Sequence, residues 1–181
     1  MSRLPRGWLP DGLYHVNTRA AGPAPIFLDD YDRTLFCMHL IRTMVRFEWA
    51  CIAFCFMTTH YHLVIDAPAE TLQRGMHRLN GHYARAFNRR HARSGHLFGE
   101  RYYNVLVESD EHLLNVLRYL ALNPVVAGLC EGPGDWYWSS YRGCIRTEEA
   151  FPFVDSSKLL AYFTHAGEID VLDIRRFVEG E

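Results

Sequence analysis

Two histidines one residue apart, in His60-Tyr61-His62, carry the most specific chemistry in this sequence. They precede Leu63, Val64 and Ile65, which read as a strand built for a core. In a strand, residues i and i+2 point to one face at a spacing of ~6–7 Å, so the two imidazoles could share a divalent cation while Tyr61 points the other way. The competing reading is a hydrogen-bonded or solvent-facing pair. A second pair, Tyr119 and Asn123, lies one helical turn apart in LLNVLRYLALNP and shares a helix face. The Asn123 amide oxygen could complete a cation's coordination beside two histidine nitrogens. Otherwise Asn123 is the last residue of a helix stopped by Pro124, and Tyr119 packs in the core. A tyrosine near a cation points to attack on phosphorus. The cation makes the phosphorus electrophilic, and a phenol with a pKa near ~10 serves as nucleophile and leaving group in a reversible transfer. Simple hydrolysis by water needs no tyrosine.

These residues need a frame, and the periodicities supply one. LYHVNTR (Leu13 to Arg19) alternates as a strand between Gly12 and AAGPAP, and Asp29 to Phe47 reads as a helix with DDYD at its positive end. WACIAFCFM and HYHLVIDAP read as two strands joined by a tight turn, with Pro68 as the stop. Cys51 and Cys55 fall in that apolar run, where same-face strand positions would bury both. Glu70 to His91 is helical by period, with Leu72, Met76, Leu79, Tyr83 and Phe87 on or near one face. A strand, RYYNVLVE, and a capped helix from Ser109 or Asp110 follow, the helix ending before Pro124. The order β-α-β-β-α-β-α contains the split β-α-β pattern, so the expected class is α+β: a ferredoxin-like antiparallel sheet with helices on one face. We expect a single catalytic domain over 1–144 and an acidic C-terminal extension over 145–181 with room for one or two short helices.

With 181 residues, 49% apolar and 14% aromatic, the chain can bury a core, and it has no apolar run near the ~20 residues that cross a bilayer. A disordered chain and a membrane protein are excluded. The net charge of -2 hides a strong asymmetry. Between Arg74 and Arg101 seven arginines face one acid, whereas between Glu148 and Glu181 eight acids face three bases. Only Lys158 is a lysine, and arginine is the better phosphate partner because its planar fork donates two parallel hydrogen bonds, although a G+C-rich genome also exchanges lysine for arginine. Arg85, Arg89, Arg90, Arg93 and Arg101 interleave with Tyr83, Phe87, His91, Tyr102 and Tyr103, which suits phosphate contact and base stacking on a single strand. A solvated helix face is the competing reading. Trp136, Trp138 and Tyr141 fit buried packing better than stacking. Five cysteines without a C-x-x-C spacing, and an N-terminal stretch without an apolar segment, make a reducing cytoplasm the expected compartment.

Taken in order, TTHYHLVI, MHRLNGHYARAFNRRHARSGHLFGERY, LLNVLRYLALNPVVAGL and DWYWSSYR resemble the HUH single-tyrosine transposases, most of all the REP-associated tyrosine transposases of bacteria. The resemblance runs from about Leu13 to Tyr141. It implies a ferredoxin-like domain that cuts single-stranded DNA beside a hairpin. By position it makes His60 and His62 ligands of Mg2+ or Mn2+ and Asn123 a third ligand. Tyr119 becomes the nucleophile that joins the 5′ phosphate and leaves a free 3′ hydroxyl. Tyr83 is the rival tyrosine. The chain departs from the pattern at TTHYH, where relatives often carry Asn before the first histidine, and at TRAAG, where they often carry Ser-Arg-Gly. Both departures bear on the DNA sequence recognised more than on the chemistry. The implied partner is single-stranded or hairpin DNA, and the chain acts as a monomer or homodimer. Two other classes compete: a non-catalytic single-stranded nucleic-acid binder on the same sheet, and a metal-dependent hydrolase of a small phosphorylated substrate. No Gly-rich phosphate loop or acidic metal cluster favours the hydrolase.

Overall fold

The alternating segment GLYHVNTR forms β1 (Gly12–Arg19) in the interior of a four-stranded sheet. The structure, a computed structural model, describes residues 10–145, 151–155, 157–161, 164–165, 168–169 and 171–180; the N-terminal stretch 1–9, read above for an apolar segment, lies outside them. Helix α1 (Asp30–Phe47) starts at Asp29, whose carboxylate accepts the Asp32 N–H at 3.0 Å, and ends where Glu48 turns left-handed at φ 57°. The β2 (Ala50–Phe56) and β3 (His60–Ala67) hairpin follows, then α2 (Ala69–Arg90), β4 (Tyr103–Leu106) and α3 (Asp110–Val126), capped by Ser109. The sheet order is β2-β3-β1-β4 with every neighbouring pair antiparallel, the expected α+β, ferredoxin-like arrangement.

Alternation divides the sheet into two faces. Tyr14, Val16, Leu63 and Ile65 pack under α1 and α2 with Phe36, Leu40, Met76 and Tyr83. Val64, Ile52, Ala53 and Cys55 point the other way, against Leu113, Val116, Leu117 and Leu120 of α3. Helices α1 and α2 thus form the expected layer, and α3 adds a layer on the opposite face because its own apolar stripe needs a surface to cover. The β2–β3 register shifts between Cys51 and Ala53. This bulge sends Cys51 into the α1/α2 core and Cys55 under α3, instead of placing both on one face. Both are buried free thiols.

Helix α3 does not stop before Pro124; it continues to Val126. Proline removes one N–H but its φ is compatible with a helix, and the turn beyond it is closed by the Ala127 N–H to Asn123 O at 3.0 Å. Asn123 therefore lies inside a continuous helix. A short helix, α4 (Tyr141–Ile145), leads into the acidic segment, which contributes α5 (Ser157–Leu160), the short strands β5 (Thr164–His165) and β6 (Glu168–Ile169), and α6 (Val171–Glu179). Ile174 and Val178 of α6 are buried in the α3 core, Arg118 Nε donates to Val178 O at 3.2 Å, and Tyr141 Oη donates to Glu179 Oε1 at 2.7 Å. Trp138 and Tyr141 are buried, as expected, and Trp138 Nε1 donates to Asp30 Oδ1 at 2.7 Å. Among the described residues no helix is long and apolar enough to cross a membrane.

Candidate active site

Strand register sets the site. Across β1 and β3, Arg19 lies opposite His60 and Asn17 opposite His62; across β1 and β4, Asn17 lies opposite Tyr103. Paired residues share a face, so His60, His62, Arg19, Asn17 and Tyr103 line the side of the sheet that α3 covers only in part. Arg19 and Tyr103 are exposed and Asn17 is half-buried. Helix α3 brings Tyr119 and Asn123 to the same place. The Tyr119 ring stands edge-on to His62 at 5.3 Å and is about half exposed, while Asn123 Nδ2 lies 3.3 Å from His62 Nε2. The four residues singled out from spacing alone thus converge, although β3 and α3 are far apart in sequence.

The histidines are electrostatically primed to stay neutral. Burial pushes His60 down to about 4, helped by the Arg19 charge and opposed by the Asn123 amide beside it, and pushes His62 down to about 2, helped by His15, His60 and Arg19. The two rings lie 5.0 Å apart at 84°. His60 Nε2 is buried and has no hydrogen-bond partner among the described residues, while its Nδ1 faces Thr59 Oγ1 at 3.3 Å. A buried imidazole nitrogen that no protein group holds in hydrogen-bond geometry among the described residues, beside a second neutral imidazole and an amide, is a donor set that a divalent cation fits. Among the described residues, no group of three or more His, Cys, Asp or Glu side chains is placed to hold a metal. A cation here would depend on two nitrogens, the Asn123 oxygen and oxygens from outside the protein.

Two functional candidates escaped the sequence reading. His15 Nε2 lies 3.0 Å from His62 Nδ1, with the two rings stacked at 5.2 Å, and burial pushes His15 down to about 4 with help from His112. Arg19, on the same strand, is the cation nearest in register to His60. A signal existed: His15, Asn17 and Arg19 are three polar residues at i, i+2 and i+4, the same one-face pattern as His60 and His62.

The rival tyrosines are occupied elsewhere. Tyr83 is buried in the α1/α2 core, donates to Ile26 O at 2.6 Å, and has its phenol pushed upward by burial. Tyr61 is buried on the same side, between Thr18 Oγ1 at 3.0 Å and Asn80 Oδ1 at 2.5 Å.

The basic segment divides as well. Arg90 is not free for phosphate: it pairs with Asp29 at 2.6 Å and with the fully buried Asp32 at 2.5 Å, and lies over the Tyr31 ring at 4.6 Å. Tyr102 is 6% exposed and belongs to the core, so no base can stack on it; Tyr103, 53% exposed, can offer a ring face. Arg85, Arg89, Arg93 and Arg101 are exposed. Arg85 and Arg101 line a cleft of ≈ 810 Å3 between α2 and the loop through Gly95 to Tyr102, with Arg74, His77, Asn80 and His96. That loop is tied to the end of β1: Ala21 N–H donates to Leu97 O at 2.9 Å and Gly99 N–H to Arg19 O at 3.1 Å. Gly99 permits this approach, since a Cβ there would stand 3.0 Å from Ala20 O. The arginine-bearing loop therefore meets the sheet at its His60 end.

Three comparisons bear on this architecture. A REP-associated tyrosine transposase bound to a REP hairpin has the same fold, with a TM-score of 0.70 at 14% identity, covering 84% of this chain and 90% of that one. A Haemophilus influenzae protein described as a REP-associated tyrosine transposase is 26% identical over 159 residues, 82% of this chain and 90% of the relative. The family profile described as "Transposase IS200 like" matches residues 13–123, a span that begins in β1, includes both histidines and closes on Asn123; the chain belongs to the IS200-like transposase family.

Proposed function

We propose that this protein is a metal-dependent single-strand DNA endonuclease and strand transferase that cleaves beside hairpins through a 5′-phosphotyrosine intermediate. The observation that carries the reading is the convergence of the half-exposed Tyr119 on His60, His62 and Asn123 at a partly open sheet face. His60 Nε2, His62 Nε2 and the Asn123 amide oxygen would hold Mg2+ or Mn2+, and such an ion polarises a phosphoryl oxygen and offsets the charge that grows on it. The Tyr119 phenol oxygen forms the new P–O bond as the bond to the 3′ oxygen breaks. The phenol proton is lost and the departing 3′ oxygen gains one, so a 3′ hydroxyl and a 5′-phosphotyrosine result. The reverse attack by a 3′ hydroxyl reseals a strand and restores the phenol. Arg19 lies where it can hold the phosphate next to His60, and Tyr103 can stack an unpaired base on the same face. REP hairpins are the proposed class of substrate, by likeness to the relatives named above. A binder that used the sheet without chemistry would need neither the buried histidine pair nor a tyrosine set against it.

The test is covalent. Labelled hairpin DNA with a single-stranded flank, incubated with Mn2+, is expected to give a denaturant-resistant adduct that persists in Tyr83→Phe and disappears in Tyr119→Phe. Tyr83→Phe is expected to lose about 1–2 kcal/mol of stability, because the Ile26 carbonyl loses its buried partner. Adduct formation in Tyr119→Phe at the wild-type level overturns the proposal.

A further inference from the structure

We infer that His15 is a positioning residue: its Nε2 accepts the Nδ1–H of His62 and so holds His62 in the tautomer whose Nε2 lone pair is free for a cation, an inference that rests on the metal reading above. The two rings meet because of the β1–β3 register. His62 pairs with Asn17 and Val64 pairs with His15, so His15 and His62 are diagonal neighbours on one face of adjacent strands. Their nitrogens stand 3.0 Å apart, and only one of the two carries the shared proton. The ligand role decides which: a nitrogen that holds a cation must offer its lone pair, and a neutral imidazole has one N–H, so with Nε2 as the ligating atom the His62 proton sits on Nδ1 and is donated to His15. In the opposite tautomer Nε2 carries the proton and has no lone pair for a ligand bond. A hydrogen bond at the far nitrogen also fixes the ring's rotation, which aims Nε2 toward the side where Tyr119 and Asn123 lie, and it raises the basicity of the ligating nitrogen. The stacked contact of 5.2 Å at 27° adds a packing restraint to the same end.

The experiment uses the full chain without DNA. Mn2+ affinity is measured by the loss of the free-ion paramagnetic resonance signal, and the His62 tautomer by long-range nitrogen–proton correlation spectra. Wild-type His62 is expected to carry its proton on Nδ1. His15→Leu, which keeps the bulk and removes the acceptor, should weaken Mn2+ binding about tenfold or more and move the His62 proton to Nε2, with the thermal midpoint little changed. His15→Asn, too short to reach, serves as a second variant of the same kind. His15→Gln places Oε1 where Nε2 stood, accepts the same proton, and should bind Mn2+ within about threefold of wild type. A leucine variant that binds like wild type overturns the inference. So does a glutamine variant that loses as much as leucine, because His15 would then act as a ligand or as simple packing. If the wild-type protein takes no Mn2+, the metal reading fails, and the spectra still decide the hydrogen bond: an unmoved His62 proton in His15→Leu refutes it.

Discussion

A buried imidazole that must stay neutral leaves a signature in stability as well as in binding. His15, His60 and His62 are held at about 4, 4 and 2, chiefly by burial, against an ordinary value of 6.5. The unfolded chain takes up protons as pH falls through 6.5, and the native site does not until lower pH. Full stability is therefore present above 6.5 and is lost progressively as pH falls toward the folded values. Each such group adds a slope of about 1.4 kcal/mol per pH unit in that window. His39 and His82 are depressed in the same direction and add to the effect. Urea unfolding of the metal-free protein between pH 7.5 and 5 should show stability falling with pH. His62→Gln, lacking the most depressed of the site histidines, should flatten the slope by up to one proton. Equal slopes in the two proteins would mean that His62 is not held neutral by its site. At this scale the sequence was legible where local spacing alone sets which side chains share a face, as in His60-Tyr61-His62 and in the turn from Tyr119 to Asn123. It was illegible where a role arises from distant pairing. His15 acquires its partner 47 residues away, and Arg90 loses its freedom to Asp29, 61 residues away.

Helix α3 carries Tyr119 and Asn123, so what holds α3 sets the geometry of the site. Its inner stripe packs on Ile52, Ala53, Cys55 and Val64 of the sheet, and Ile174 and Val178 of α6 complete that core, with Arg118 donating to the Val178 carbonyl. The acidic segment is thus part of the α3 layer and supports the helix that bears Tyr119. Ile174 is 2% exposed, so Ile174→Ala removes buried methylenes and leaves a cavity, expected to cost about 2–4 kcal/mol. The helix should then hold Tyr119 less firmly, and adduct formation should slow even at temperatures where the variant remains folded. Calorimetry and the rate of adduct formation check the two effects separately. A variant with lowered stability and an unchanged rate would show that α6 stabilises the fold without positioning the tyrosine. The strand and helix order was readable from periodicity because each element keeps one apolar face. Three features were not: the β2 bulge, which slips one residue inside a uniformly apolar run; the second helical layer; and the passage of α3 through Pro124. All three depend on packing partners that lie outside the segment itself.

At the scale of the whole molecule the question is where a polyanion meets a chain whose net charge is -2. The structure narrows the basic segment. Arg90 is neutralised by two aspartates, whereas Arg85, Arg89, Arg93 and Arg101 remain exposed on the end of α2 and the loop that joins β1 beside His60. A strand held by these four would release counterions from about four phosphates, which gives a slope of log K against log salt of about -3 for single-stranded DNA. Replacing Arg89 and Arg93 with alanine should reduce that slope to about -1.5 and leave the unfolding curve nearly unchanged. Arg90→Ala should behave in the opposite way, lowering stability by taking the guanidinium from the buried Asp32 carboxylate, which among the described residues keeps only the Leu28 N–H and the His91 ring, while affecting the salt slope little, because its charge was never available to phosphate. Stacking adds strandedness. Tyr103 offers its ring on the sheet face that carries His60 and His62, and a duplex hides the base faces that the ring needs, so a hairpin with a single-stranded flank should bind more tightly than a plain duplex of equal length. Binding over a salt series, run in parallel on hairpin and duplex, checks every arm. Equal affinity for the two DNAs, or a slope untouched by loss of Arg89 and Arg93, would move the DNA path off this edge of the sheet and onto another face of the molecule.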